Sequence, residues 1–324
     1  MGRAQRLKER GEHYGPLFGK DLISITDLTP NDIKSVLRQS AKMRKRFKHG
    51  PESKGKRYLK RRIVANVFLE RSTRTRLSFA SAAERLGGGV ITITTEDQTS
   101  MTKGETLADT IRMLDSYASI IVLRQGENGG ARLAADISRV PVINAGDGTG
   151  EHPTQALLDL FTIKRLKGRV SDLNIAIVGD LLNGRTAHSL AYALGMFGNH
   201  ITFIAPDRLQ VPNAVIETIS PGNTVSTAPD LTAAFGADIV YMTRVQRERF
   251  TDPNEYENFR SVYTIDMAFL KATGKDVRIM HPLPRVDEVA TEVDNTLNAA
   301  YFAQAKNGTP VRMALLAMIL RGIG

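Results

Sequence analysis

Short apolar runs alternate with helix-period stretches along almost the whole chain. Residues 63–68, 90–94, 120–123, 140–144, 174–178, 201–205, 239–242 and 277–280 are β-type runs, rich in Val and Ile. Between them fall stretches of helical period. One is 77–86, where Leu77, Ala80, Ser81 and Glu84 share a helical spacing; others are 106–117 and 185–197. This alternation predicts an α/β fold with mainly parallel sheets, either one barrel or two open sheets. Residues 173–180 (Leu-Asn-Ile-Ala-Ile-Val-Gly-Asp) read as a fresh, fully buried strand that opens a second doubly wound unit. No repeat of solenoid period and no low-complexity tract interrupts the pattern.

Composition narrows the function classes. A length of 324 residues favours two domains, and 42% hydrophobic residues are ample for their cores. The chain has no Cys, which removes disulfides, thiolate metal sites and a Cys nucleophile. No apolar run reaches the roughly 18 residues of a membrane span, and the N-terminus lacks the apolar segment of a secretory signal. We therefore expect a cytoplasmic protein; the basic N-terminus leaves organelle targeting open. The net charge of +10 is concentrated at one end: residues 1–62 hold 18 Lys/Arg against 6 Asp/Glu, and the rest of the chain is close to neutral. This basicity peaks at 42–48 and 54–62. It fits a solvated helix face and loop, and no aromatic-interleaved or zinc-finger pattern points to specific nucleic-acid readout.

Candidate chemistry lies just after the β-type runs, where open α/β sheets bind ligands. The foremost stretch is Ser72-Thr73-Arg74-Thr75-Arg76, between the 63–68 run and the following helix. Free N–H groups at a helix start, hydroxyl donors and fixed positive charge together make a phosphate socket without a Gly-rich P-loop. Lys103-Gly104-Glu105-Thr106 ends a polar loop, and Arg124 directly follows the buried-type run 120–123. The Gly-rich turn 144–148 leads to Glu151-His152-Pro153-Thr154-Gln155, with Pro153 placed to start a helix and His152 to donate to a carbonyl. Arg185 opens a helix after the 174–178 run, and Arg244 and Gln246 follow the 239–242 run; these suit carboxylates. His281-Pro282-Leu283-Pro284-Arg285 is poor in N–H groups, so its carbonyls are free to face a ligand. The inventory is rich in cationic and neutral donors. It offers no carboxylate pair for acid–base work, no metal-ligand spacing and no Ser-His-Asp set. That combination suits holding anions and polarising a carbonyl better than forming a covalent intermediate.

These motifs, in this order from about Leu22 to Leu320, resemble the carbamoyltransferase family, and within it the branch that uses aspartate. The matching runs are S-T-R-T-R at 72–76, K-G-E-T at 103–106, H-P-T-Q at 152–155, V-G-D at 178–180, G-R-T at 184–186, R-V-Q at 244–246 and H-P-L-P-R at 281–285. The resemblance implies two doubly wound α/β domains with an active site in the interdomain cleft. It implies a carbamoyl-phosphate domain of residues 1–153 and 304–324 and an aspartate domain of residues 154–303. A C-terminal helix, 310–320, returns to the first domain. It further implies that Ser72, Thr73, Arg74 and Thr75 hold the phosphate, and that Thr75, Arg124 and His152 meet the carbonyl oxygen. Gln155 and the carbonyls of Pro282 and Leu283 would hold the carbamoyl NH2, and Arg185, Arg244 and Gln246 the L-aspartate carboxylates. Ser100 and Lys103 would enter from a neighbouring chain of a homotrimer. No cofactor or metal is implied.

The implied reaction gives N-carbamoyl-L-aspartate and phosphate, a step of de novo pyrimidine synthesis. Two anionic substrates need several fixed cations, and Arg74, Lys103, Arg124, Arg185 and Arg244 supply them. The nearest alternative is an ornithine-using relative, typically marked by a Cys in an H-C-L-P run. Here that run is His281-Pro282-Leu283-Pro284, and Arg244 would repel an ammonium. An inactive scaffold of the same fold is a further alternative. A regulatory or pathway-enzyme partner is left open by the sequence.

Overall fold

The computed structural model describes residues 14–46, 57–95, 97, 99–274 and 276–324. Much of the basic N-terminal stretch, including Lys48, Lys54 and Lys56, therefore lies outside the described residues. The chain divides into two compact units, Met1–Leu157 with Asn307–Gly324, and Leu158–Lys306.

Among the described residues, the first α-helix of the first unit is α1 (Pro30–Arg46), after a 3₁₀ turn at Ile25–Asp27. Strand β1 (Ile63–Phe68), helix α2 (Thr73–Arg85), β2 (Gly89–Ile93), α3 (Leu107–Tyr117), β3 (Ile120–Gln125), α4 (Gly130–Ile137) and β4 (Val142–Asp147) follow in strict alternation. The four strands pair in parallel in the order β2-β1-β3-β4. The order reverses direction between β1 and β3, which sets a topological switch point there. The central strands are largely apolar: on one face Ala65, Val67, Ile121, Leu123 and Val142 pack with Ile111 and Leu114 of α3 and Ala131 and Ala134 of α4, and α2 packs against β1 and β2.

Helix α5 (Pro153–Lys167) ends one unit and begins the other, the division falling after Leu157. The second unit continues with β5 (Asn174–Val178), α6 (Arg185–Gly195), β6 (His200–Ile204), α7 (Asn213–Ile219), β7 (Thr224–Ala228), β8 (Ile239–Met242), α8 (Pro253–Phe259), α9 (Met267–Thr273) and β9 (Arg278–Met280). Its five strands are also all parallel, in the order β7-β6-β5-β8-β9. The switch point lies between β5 and β8. The final helix α10 (Tyr301–Arg321) carries the chain back into the first unit.

Two expectations are corrected. The C-terminal helix starts at Tyr301, well before residue 310, and Pro310 sits inside it. Burial of Val311 to Leu320 supplies enough packing for the helix to tolerate the N–H that Pro310 lacks. Strand β7 was not anticipated. It is an edge strand, Thr-Val-Ser-Thr-Ala, exposed or half-buried throughout, so nothing forces it to be apolar. No helix among the described residues is long and apolar enough to cross a membrane.

Candidate active site

In the first unit, the predicted anion-binding turn lies beside the switch point. Ser72 is the N-cap of α2 with extended backbone, and its hydroxyl makes no capping bond. The amides at the start of α2 lack helical acceptors and carry the positive end of the helix dipole. Thr73 and Arg74 are exposed and Thr75 is buried. Arg124, the penultimate residue of β3, is in register with Phe68 of β1, and the Leu69 N–H donates to the Arg124 carbonyl at 2.9 Å. Adjacent parallel strands thus bring Arg124 to the mouth of the turn. Its guanidinium pairs with Glu70 and donates to the Ala145 carbonyl at 3.3 Å.

His152 follows β4, the neighbour of β3, and is buried at 2% exposure ahead of α5. Thr154 Oγ1 lies 3.4 Å from its Nδ1, and its carbonyl accepts the Gln155 N–H at 2.9 Å. Three residues to which the sequence assigns no role hold this turn. Asn144 donates to the Ile23 carbonyl at 2.9 Å and accepts the Gly146 N–H at 2.7 Å. Asp147 accepts the N–H groups of Glu151 at 3.1 Å and Gly129 at 3.2 Å. Glu151 accepts the Ile25 N–H at 3.0 Å and bonds the Ser24 hydroxyl. An Asn-x-x-Asp pattern closing a Gly-rich turn was the available signal.

Ser100 and Lys103 stand apart from these strand ends. They bound a short 3₁₀ turn, Ser100–Lys103, capped by the Thr99 hydroxyl and closed by Gly104 at φ 95°. Both are exposed.

In the second unit the predicted residues again flank the switch point. Gly179 follows β5 at φ 118°, and a Cβ there would stand 2.2 Å from the Thr243 carbonyl oxygen. This close approach lets Thr243 donate to the Val178 carbonyl through both its N–H (2.8 Å) and its hydroxyl (3.0 Å). Asp180, fully buried, accepts the Asn183 N–H at 3.0 Å and the Gln246 N–H at 3.3 Å. One carboxylate thereby ties the turn before α6, which carries Arg185, to the segment after β8, which carries Arg244 and Gln246. The Gln246 side chain also donates to the Asn183 carbonyl at 2.9 Å. Burial pushes the Asp180 carboxyl above its ordinary range, although the Asn183 and Gln246 bonds pull the other way.

Arg244 pairs with Glu248, one turn on, through two bonds, one of them 3.0 Å. Burial works to raise the Glu248 carboxyl, but the Arg244 guanidinium outweighs it and holds the group below the usual carboxylate range. After β9, Leu283 has a left-handed backbone (φ 59°) and precedes a cis peptide to Pro284. Pro282 and Leu283 are half-buried.

Comparison with known proteins gives a consistent result. Residues 20–165 match the family model for the aspartate/ornithine carbamoyltransferase carbamoyl-P binding domain, and residues 171–319 match that for the Asp/Orn binding domain. The chain is 49% identical over 304 residues to the aspartate carbamoyltransferase catalytic subunit of Methanocella arvoryzae, covering 93% of this chain and 97% of that one. It is 46% identical to the Thermococcus onnurineus catalytic subunit, covering 93% and 97%. Among solved structures, it is similar to aspartate transcarbamoylase from Trypanosoma cruzi in complex with carbamoyl phosphate and aspartate. That match has a TM-score of 0.89 and 38% identity, and covers 95% of this chain and 99% of that one. The catalytic subunit of M. jannaschii aspartate transcarbamoylase gives a TM-score of 0.84 at 46% identity, covering 92% and 97%.

Proposed function

The chain belongs to the aspartate/ornithine carbamoyltransferase family, and from that premise we propose that it transfers the carbamoyl group of carbamoyl phosphate to the amine of L-aspartate. The products are N-carbamoyl-L-aspartate and phosphate. One observation carries this reading beyond the likeness: in each unit the donor-rich residues sit at the strand ends that flank the switch point. The second unit adds a guanidinium, Arg244, that an anionic co-substrate would welcome and an ammonium would not.

Residue roles follow from charge and position. Ser72, Thr73, Arg74 and Thr75 hold the phosphate at the start of α2, where dipole and free amides favour an anion. Thr75, Arg124 and His152 donate to the carbonyl oxygen as negative charge builds on it; one such donor is typically worth roughly 3–4 kcal/mol. Gln155 and the carbonyls of Pro282 and Leu283 receive the amide N–H groups. Arg185, Arg244 and Gln246 bind the aspartate carboxylates. The amine attacks the carbamoyl carbon, the C–O bond to phosphate breaks, and the departing phosphate takes the amine proton. No protein base is required, and positioning supplies much of the remainder.

The test is direct. The purified chain, offered carbamoyl phosphate with aspartate or with ornithine, should make N-carbamoyl-L-aspartate and no citrulline. Citrulline at a comparable rate would refute the substrate assignment.

The same reading extends to assembly and setting. The protein acts in the cytoplasm as a homotrimer, and Ser100 and Lys103 serve a neighbouring chain. The support is their place on an exposed 3₁₀ turn away from the strand ends that carry the other residues. Lys103→Ala and His152→Ala, each inactive, should regain activity when dissociated and reassembled together, because some mixed sites carry neither lesion. Mixed assemblies confirmed by mass but without activity would show that Lys103 serves its own chain.

A further inference from the structure

The H-P-L-P-R run contains a histidine to which the reaction assigns no role. His281 is 1% exposed and follows β9. Its Nδ1 accepts the Leu283 N–H at 2.8 Å, so the ring proton sits on Nε2, which donates to Glu288 Oε1 at 2.7 Å. The other Glu288 oxygen accepts the N–H groups of Val286 at 3.0 Å and Asp287 at 3.1 Å. One imidazole and one carboxylate thus span the loop from 281 to 288 and meet its backbone at three amides.

The base of this loop is anchored as well. The His281 N–H donates to Gln304 Oε1 at 2.8 Å, and Gln304 Nε2 donates to Asp159 Oδ1 at 2.7 Å. The Tyr241 hydroxyl donates to the other Asp159 oxygen at 2.9 Å. Asp159, Gln304 and Tyr241 are all buried. The loop needs such support. Leu283 holds φ 59°, a left-handed conformation that a branched L side chain disfavours. Its N–H is the only main-chain donor of that residue, and His281 Nδ1 is where it goes. Burial works to raise the Glu288 carboxyl, but the donors on it prevail and hold it below the ordinary range.

We propose that the His281–Glu288 pair is a positioning device that fixes the Leu283 backbone and so aims the Pro282 and Leu283 carbonyls at the carbamoyl amide. This inference rests on the functional reading above. Neither residue touches substrate. His281 acts through a peptide N–H, and Glu288 acts by holding the imidazole tautomer whose Nδ1 can accept it.

The experiment compares two ligands that share a phosphate but differ in the amide: carbamoyl phosphate, and inorganic phosphate as a competitive inhibitor. His281→Leu removes both ring contacts. It should lower kcat/KM for carbamoyl phosphate by about 100-fold, the scale of a 1 Å misplacement, and leave inhibition by inorganic phosphate unchanged. His281→Asn keeps an acceptor near the Nδ1 position and should recover most of the loss. Glu288→Gln turns an NH2 toward the Val286 and Asp287 N–H groups and should show the same split between the two ligands. If His281→Leu does not fold, Glu288→Gln decides the matter by that split. Folded His281→Leu or Glu288→Gln with wild-type kcat/KM would overturn the proposal, as would equal loss of carbamoyl phosphate and phosphate binding, which marks a general structural role. A wild-type chain that transfers nothing to aspartate would overturn the functional reading as well, so the two failures are distinct.

Discussion

Asp180→Asn separates stability from substrate use in the second unit. Both oxygens of the native carboxylate are engaged: Oδ1 with the Asn183 N–H at 3.0 Å and side-chain amide at 3.1 Å, Oδ2 with the Gln246 N–H at 3.3 Å. An asparagine has one oxygen to offer. Whichever way it turns, its NH2 faces one of the two backbone N–H groups, and that buried donor loses its acceptor. The loss costs about 1–3 kcal/mol. An opposing effect comes from burial, which pushes the Asp180 carboxyl upward. The native charge therefore costs folding free energy, and a neutral side chain removes that cost. The net change in stability should stay under about 2 kcal/mol, a shift of a few degrees in Tm. Function has no such offset. The two groups that lose their common anchor belong to the segments carrying Arg185, Arg244 and Gln246. A displacement near 1 Å there costs up to about 100-fold. Steady-state transfer with aspartate varied at saturating carbamoyl phosphate should show kcat/KM for aspartate down by about 10- to 100-fold, with carbamoyl phosphate binding intact. Thermal unfolding of the same sample supplies the control. Unchanged kcat/KM, or activity lost only in step with folding, would refute the reasoning.

Other outcomes follow from the same contacts. Arg74→Ala should weaken carbamoyl phosphate binding and Arg244→Ala should raise the aspartate KM, each by the roughly 2–5 kcal/mol of a desolvated charge contact; equal effects on both substrates would contradict the division of roles. Gly179→Ala should destabilise the second unit strongly, because its Cβ would stand 2.2 Å from a backbone oxygen at φ 118°; a Tm within a degree of wild type, read by differential scanning calorimetry, would count against that close approach. The folded-state pKa of Glu288 lies below its ordinary 4.5, so the folded chain holds that proton less tightly than the unfolded chain. Its contribution is fully present above the ordinary value and is lost as pH falls through the lowered one. Asp180 has the opposite sign: its charge costs stability above its raised pKa, and the cost disappears as the group protonates. Urea unfolding against pH should therefore show a shallower acid limb in Glu288→Gln and a steeper one in Asp180→Asn; identical acid limbs in all three chains would contradict both assignments.

Much of the fold was legible because its central strands are buried on both faces. The runs at 63–68, 174–178 and 239–242 match β1, β5 and β8, since a strand buried on both sides is apolar at nearly every position, the buried Asn66 of β1 being a departure. The edge strand β7 escaped because half-exposed residues such as Thr224 and Ser226 carry no such requirement. Helix α5 offered little periodicity for the opposite reason. From Ala156 to Ile163 every residue is buried, polar Asp159 and Thr162 included, so no solvent face imprints a 3.6-residue rhythm. The start of α10 at Tyr301 is hard to see in sequence because Pro310, nine residues on, interrupts the helical pattern.

The candidate site divides along a similar line, with range in place of burial. Residues proposed to touch substrate lie at a strand's C-terminal end or in the turn that follows it, so a local pattern of apolar run followed by donors is enough to find Ser72, Arg124, Arg185 and Arg244. The residues that hold them in place have their partners far away in sequence. Glu151 reaches Ser24, 127 residues back; Asp180 reaches Gln246 across 66 residues; His281 reaches Gln304 across 23. No spacing rule on one strand or helix connects such pairs, because the distance between them is set by the order of strands in the sheet. The parallel arrangement itself creates this division. Every strand of one sheet ends on the same side, so ligand contacts collect there from separate local segments. Buried groups such as the Asp180 carboxylate and the amide of Gln304 then have to bridge segments that only the completed sheet brings together.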